Sequence, residues 1–187
     1  VDDIKSADWD IEVHQIYGLT EVCGPACVIN AENALKRIGS TGQVFFHTEG
    51  RVVDENGIDC QPGEQGEIWI RGKHIMLEYW NKPEATAETI TRDGWLRTGD
   101  VASMDEEGYV YIQDRIKDMI ISGGENVYPA EIENILISHP GIVEVAEIGQ
   151  SSSKWGESPF AVVVRSDANI DEDDILNYCE GKFGNPS

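Results

Sequence analysis

Positive charge is scarce in this 187-residue chain: 14 Lys and Arg stand against 35 Asp and Glu, for a formal net charge of −21. Such a chain is repelled as a whole by nucleic-acid phosphates and by anionic lipid, which argues against a nucleic-acid binder. It leaves room for a nucleotide site served by a few well-placed cations. No apolar run approaches the roughly 20 residues that a spanning helix needs, and no signal-peptide pattern opens the chain, so no transmembrane segment is expected. Cysteine is sparse, with four residues and no CxxC spacing. Cys23 and Cys27 flank a Gly-Pro turn with no histidine nearby, which argues against zinc and for reduced, partly buried thiols. The four histidines (His14, His47, His74, His139) are scattered, none at helical ligand spacing from another. A cytoplasmic location follows as the expectation. The chain also lacks an initiating Met and ends on Gly-Asn-Pro-Ser, and is read as a piece of a longer protein.

Hydrophobic residues make up 40% of the chain, with five Trp, enough for a core in one ordinary domain or parts of two. The first part reads as strands and turns: Val13–Tyr17, Val44–Phe46 and Arg51–Val53, with a turn at Asn56-Gly57. Glu67–Arg71 alternates, setting Ile68 and Ile70 on one face and Trp69 on the other. Pro83–Ile90 reads as a short helix with Pro in its first turn, and Val101–Met104 and Tyr109–Ile112 flank a hairpin loop. The character changes near Asp114. A strand over Lys117–Ile121, a Gly123-Gly124 turn and a helix from Pro129 are expected, the helix stopped at His139-Pro140-Gly141. Strands over Ile142–Ile148 and Phe160–Val164 follow, then a helix from Asp171, with Ile170 and Ile175 as its hydrophobic staple. The acidic run Asp171–Asp174 reads as a helix cap and solvated face rather than a metal site. The order β-α-β-β-α after Lys117 predicts a small α+β domain.

Three motifs carry chemistry. YGLTE from Tyr17 puts an aromatic ring, a permissive Gly18, the Thr20 hydroxyl and the Glu21 carboxylate within five residues; taken alone it is a weak signal, which a Tyr packed at a strand end beside a solvated Glu accounts for more simply. GWLRTGD from Gly94 places Asp100 at a loop–strand junction, where a carboxylate can accept from both hydroxyls of a ribose or cap its own turn. DRIKDMIISGGENVYPAEIE, from Asp114 to Glu133, combines Arg115, a fixed fork of donors, with Lys117 at a domain joint and the permissive pair Gly123-Gly124. A surface ion pair and a hairpin turn account for those residues singly, but not for their ordered occurrence with the two upstream motifs.

Taken together with GEIWIRGKHIMLEYWNKPEAT from Gly66 and KWGESPFAVVV from Lys154, these motifs resemble the AMP-forming acyl-CoA synthetases of the acyl-adenylate superfamily. The resemblance spans almost the whole chain, and the DMIISGGENVYPAEIE form is most like the fatty acyl-CoA ligases. It implies an α/β and α+β chain: residues 1–114 as the end of a large AMP-binding domain that includes a distorted β-barrel subdomain, 115–117 as a hinge, and 118–187 as a truncated small C-terminal domain. It implies ATP/AMP and Mg2+ as cofactors, CoA as co-substrate, and a small-molecule carboxylic acid as the other partner. Tyr17 and Gly18 would border the adenine, Thr20 bond the α-phosphate, Glu21 help hold Mg2+, and Asp100 and Arg115 bind the ribose. Lys117 would be the pivot, with Gly123 and Gly124 beside the CoA arm.

The resemblance also implies parts not found here. A Ser/Thr/Gly-rich phosphate loop with its Lys belongs upstream of Val1, and a catalytic Lys belongs after Ser187; Lys182 comes too early to serve. The chain alone is therefore expected to be inactive, and residues 1–38 to expose apolar surface. An aryl or luciferase-type adenylating enzyme, a non-catalytic AMP- or partner-binding module, and an acidic scaffold remain as alternatives.

Overall fold

In the computed structural model, which describes residues 12–166 and 170–182, the chain forms two compact units, Val1–Ile112 and Gln113–Ser187. The first opens with a three-stranded sheet of order β1-β2-β3, formed by β1 (Gln15–Tyr17), β2 (Cys27–Ile29) and β3 (Gln43–Val44). Tyr17 pairs with Cys27 across β1 and β2. A single 3-10 turn, Thr20–Val22, follows β1. Helix α1 (Ala31–Lys36) was not expected in a stretch read as strands and turns. Its signals are local and short: the Asn30 carboxamide accepts from the Asn33 N–H at 2.9 Å, and Lys36 reaches Glu32 one turn back.

A four-stranded sheet of order β4-β5-β6-β7 follows, from β4 (Thr48–Val53), β5 (Gln65–Gly72), β6 (Leu96–Met104) and β7 (Val110–Arg115). Helix α2 (Pro83–Thr89) lies between β5 and β6, as its N-terminal Pro predicts. Val44 ends its strand and Phe45-Phe46 do not continue it; the chain turns there, with His47 in the left-handed region. Alternation decides which side of β5 is buried: Ile68 and Ile70 join Val22, Ala26, Cys27, Val52, Leu96, Ala102 and Val110 in the main core. The apolar surface expected over residues 1–38 is seen in part among the described residues, where Ile16, Leu35 and Ile38 are exposed; residues 1–11 of that stretch lie outside them.

Trp69, on the other face, packs with Val53 and Trp95. Arginines interleave with these rings: Arg97 and Arg51 stand over Trp69 at 5.1 and 5.0 Å, and Arg51 and Arg71 over Trp95 at 4.4 Å each. Arg51 touches both rings and pairs with Asp59 at 3.3 Å. We expect Arg51→Met to cost about 1–2 kcal/mol in urea-induced unfolding, since each such contact contributes about 0.5–1 kcal/mol at a partly exposed site. A change under about 0.5 kcal/mol, within the scatter of ordinary surface substitutions, would remove the stack from the list of stabilising features.

The second unit runs β8 (Ile120–Ser122), β9 (Glu125–Val127), α3 (Pro129–Ile137), β10 (Ile142–Ser152), β11 (Gly156–Arg165) and α4 (Glu172–Cys179). Its sheet has the order β10-β11-β8-β9. Two expectations are corrected here. The strand expected over Lys117–Ile121 begins only at Ile120, because residues 116–118 are held in a turn by the Asp118 and Met119 N–H groups donating to the Arg115 carbonyl. The order is also β-β-α-β-β-α, since Gly123 and Gly124, both at positive φ, fold the chain back into the extra strand β9. The expected helix cap is present: Asp171 accepts from the Asp174 N–H at 3.0 Å, in a reciprocal capping box.

Candidate functional site

In the first unit, β1 ends at Tyr17 and the chain turns through Gly18 into the 3-10 turn that carries Thr20 and Glu21. A Cβ on Gly18 would sit 2.6 Å from the Gly24 carbonyl oxygen, so no larger residue fits this turn as built. The Tyr17 hydroxyl donates to Asp100 Oδ2 at 2.6 Å, joining two motifs 83 positions apart. Burial, and then the Asp100 carboxylate, hold the Tyr17 hydroxyl far above the ordinary phenol range, so it stays a donor. Asp100 is 5% exposed, a depth at which a carboxylate persists only with partners.

The turn before Asp100 is fixed from both sides. The Thr98 hydroxyl donates to the Ile68 carbonyl at 2.7 Å and accepts from the Asp100 N–H at 3.1 Å. Glu67 accepts from the Gly99 N–H at 2.8 Å and from the Trp69 indole at 2.7 Å. Glu21 is held differently: its carboxylate accepts from the Tyr79 hydroxyl at 2.8 Å, and its carbonyl from the Met76 N–H at 2.8 Å. Tyr79, Thr98 and Glu67 are supporting residues that sequence reading missed. Tyr79 lies inside LEYW and Thr98 inside GWLRTGD, so the signal was present without its partner.

Thus Tyr17, Gly18, Thr20, Glu21 and Asp100 are gathered in the first unit, while Arg115, Lys117, Gly123 and Gly124 belong to the second. Lys117 is exposed in the turn at 116–118, with Asp118 3.8 Å away. Gly123 donates its N–H to the Trp155 carbonyl at 2.8 Å, and an added Cβ would meet the Trp155 ring at 2.9 Å. Lys154 stands 4.2 Å above that ring, so KWGE is built onto the glycine turn.

Two model descriptions match the chain: AMP-binding enzyme over residues 5–80, and AMP-binding enzyme C-terminal domain over residues 131–187. The chain belongs to the AMP-binding enzyme family. Long-chain-fatty-acid–CoA ligase FadD13 of Mycobacterium tuberculosis is 48% identical over 170 residues, which are 91% of this chain and 33% of that protein. Among solved structures, o-succinylbenzoate CoA synthetase of Bacillus subtilis, in complex with its acyl-adenylate intermediate, matches at a TM-score of 0.90 and 35% identity, over 98% of this chain and 37% of that one. The same Bacillus subtilis enzyme with ATP and magnesium ion matches at 0.88 and 34%, over the same shares. This AMP-binding family chain therefore spans about a third of the length of the relatives it matches. No helix among the described residues is long and apolar enough to cross a membrane.

Proposed function

We propose that the whole protein carrying this chain is an AMP-forming acyl-CoA ligase acting on a fatty or other hydrophobic carboxylate in the cytoplasm. The observation that carries this reading is the Tyr17–Asp100 hydrogen bond. It brings an aromatic ring and a buried carboxylate together beside a glycine turn, a group of features suited to a base and a ribose. In the first half-reaction a carboxylate oxygen bonds to the α-phosphorus of ATP and the bond to pyrophosphate breaks, giving acyl-AMP. In the second the CoA thiol, losing its proton, bonds to the acyl carbon and AMP leaves.

In this reading Tyr17 and Gly18 border the adenine, Asp100 and Arg115 hold the ribose hydroxyls, and Thr20 donates to the α-phosphate. A carboxylate oxygen has two lone pairs, so Asp100 Oδ2 can accept from Tyr17 and from a ribose hydroxyl together. Glu21 would hold magnesium. Its single carboxylate, steadied by Tyr79, fits an ion that takes one or two protein carboxylates and fills its shell with water and phosphate. Magnesium bound there would neutralise phosphate charge. Lys117, exposed in its turn, is the pivot between half-reactions, and the Gly123-Gly124 turn beside Trp155 borders the pantetheine arm. Residues 1–114, 115–117 and 118–187 are then the end of the large domain with its barrel, the hinge and the small domain. The phosphate-loop Lys and the small-domain Lys lie in other parts of the protein.

A second reading, an aryl carboxylate as substrate, is favoured by the likeness to o-succinylbenzoate CoA synthetase. Acid-dependent pyrophosphate exchange, followed by thioester formation on adding CoA, tests both readings with hexadecanoate and 2-succinylbenzoate. We expect exchange from the full-length enzyme with one of these acids and none from the isolated 187-residue chain. Exchange by the isolated chain would show that the missing cations are dispensable. AMP binding by a full-length protein that exchanges with neither acid would favour a non-catalytic module.

A further inference from the structure

Strand β6 reaches Asp100 through a break in its pairing with β5. Glu67 pairs with Val101 and Trp69 with Arg97, so Ile68 alone on β5 faces Thr98, Gly99 and Asp100 on β6. The bulge keeps the alternation of the strand: Leu96 before it and Ala102 after it both enter the main core. Gly99, at a φ of 73°, turns its N–H toward Glu67, whose Oε1 accepts it at 2.8 Å. Oε2 of the same carboxylate accepts from the Trp69 indole N–H at 2.7 Å. One side chain thus ties the bulge to a ring that is 8% exposed and packed with Val53 and Trp95.

We infer that Glu67 is a positioning residue for the nucleotide: it holds the bulge that presents Asp100, and so sets the enzyme's preference for an intact ribose. This rests on the function proposed above, in which Asp100 accepts from the ribose hydroxyls. Glu67 acts through the Gly99 peptide, the link that leads directly into Asp100, while Thr98 pins the same bulge to the Ile68 carbonyl. The task needs a carboxylate. Two N–H donors converge on Glu67, and each takes one oxygen. A carboxamide has a single oxygen, and its NH2 group would face the second donor N–H to N–H. Trp69 is fixed by its packing, so in a Gln variant the bulge is the part that yields. Removing the indole N–H as well frees the one amide oxygen for Gly99.

The test titrates the full-length enzyme with AMP and with 2′,3′-dideoxy-AMP, which lacks both ribose hydroxyls, and follows binding by calorimetry. The variants are Glu67→Gln, Trp69→Phe and the two combined. We expect Glu67→Gln to lose about tenfold in AMP affinity, the scale of a bond to a charged acceptor, and to bind dideoxy-AMP nearly as wild type does. The double variant should recover AMP affinity to within about threefold of Trp69→Phe alone, although losing the indole makes it less stable in urea. Affinity that returns while stability falls separates positioning from a merely structural role. Should Glu67→Gln not fold, Trp69→Phe and the double variant still give that comparison. Affinities unchanged in Glu67→Gln, both nucleotides weakened by one factor, or a double variant that binds AMP no better than Glu67→Gln each overturn the inference and leave the proposed reaction intact. A wild-type enzyme that does not prefer AMP to dideoxy-AMP removes Asp100 from the ribose, and the role of Glu67 falls with it.

Discussion

Replacing Glu147 with Gln should stabilise the protein at pH 8 and flatten its stability profile between about pH 4.5 and 7. Glu147 lies on β10 at 7% exposure, and neither of its carboxylate oxygens has a hydrogen-bond partner. Burial first, then the negative charges of Glu133 and Asp114, push this carboxyl up to about 7. The groups facing it are Glu133 from α3, which also accepts the Glu147 N–H at 2.8 Å, Asp114 from β7, and Cys179 from α4. Asp114, Glu133 and Glu147 line one cavity of about 330 Å3 with Lys117 and Asp118, so the surroundings are mainly acidic.

The sign follows from proton uptake. Between the unfolded carboxyl value of 4.5 and the folded value near 7, the native state binds more protons than the unfolded state, so stability falls as pH rises through that window. Above it the full penalty applies, with a ceiling of about 3 kcal/mol at 1.36 kcal/mol per unit. Gln keeps the size and removes the charge. We expect Glu147→Gln to gain about 1–3 kcal/mol at pH 8 and little at pH 5, measured by urea-induced unfolding across pH 5–8.5. Equal gains at both ends would mean that the carboxyl is already neutral throughout, or already ionised without cost.

Glu147 also shows where sequence reading stops. Read as a plain strand, Ile142–Ile148 would put Ile142, Glu144, Ala146 and Ile148 on one face. A bulge between Ile142 and Glu144 changes the parity, so Ile142 and Glu147 are buried while Ile148 is exposed. Periodicity carries no sign of that extra residue. Where the backbone stays regular the reading holds: Ile68 and Ile70 face the core and Trp69 the arginines. Glycine pairs marked the turn at Gly123-Gly124 correctly, but the short return strand β9 was hidden behind the approach of a helix. At the candidate site, residue types and motif order singled out Tyr17, Glu21 and Asp100, and the structure pairs Tyr17 with Asp100 and Glu21 with Tyr79. Their partners depend on tertiary contacts across 83 and 58 positions, and Asp114 reads in sequence as half of an ion pair with its neighbour. Local chemistry was legible; long-range pairing was not.

Asp100 and Tyr17 should separate nucleotide affinity from stability. Asp100→Asn keeps an oxygen that can accept from the Tyr17 hydroxyl, so the buried pair survives and stability should change by less than about 1 kcal/mol. It loses the charge that strengthens bonds from ribose hydroxyls, at about 1.5–3 kcal/mol for a charged acceptor. In the full-length enzyme kcat/KM for ATP should therefore fall by about 10- to 10²-fold. Tyr17→Phe does the reverse. Its ring remains for the base, but Asp100, at 5% exposure, loses the 2.6 Å donor. A buried charge left short of a partner costs about 1–3 kcal/mol, so this variant should unfold at lower urea, with a smaller loss in kcat/KM, about 3–10-fold. Since burial and Asp100 keep the Tyr17 hydroxyl protonated well above the ordinary phenol range, neither difference should vary between pH 6 and 9 through that group. The opposite pattern, with Asp100→Asn unstable but fully active, would make Asp100 a structural anchor and leave the ribose to Arg115.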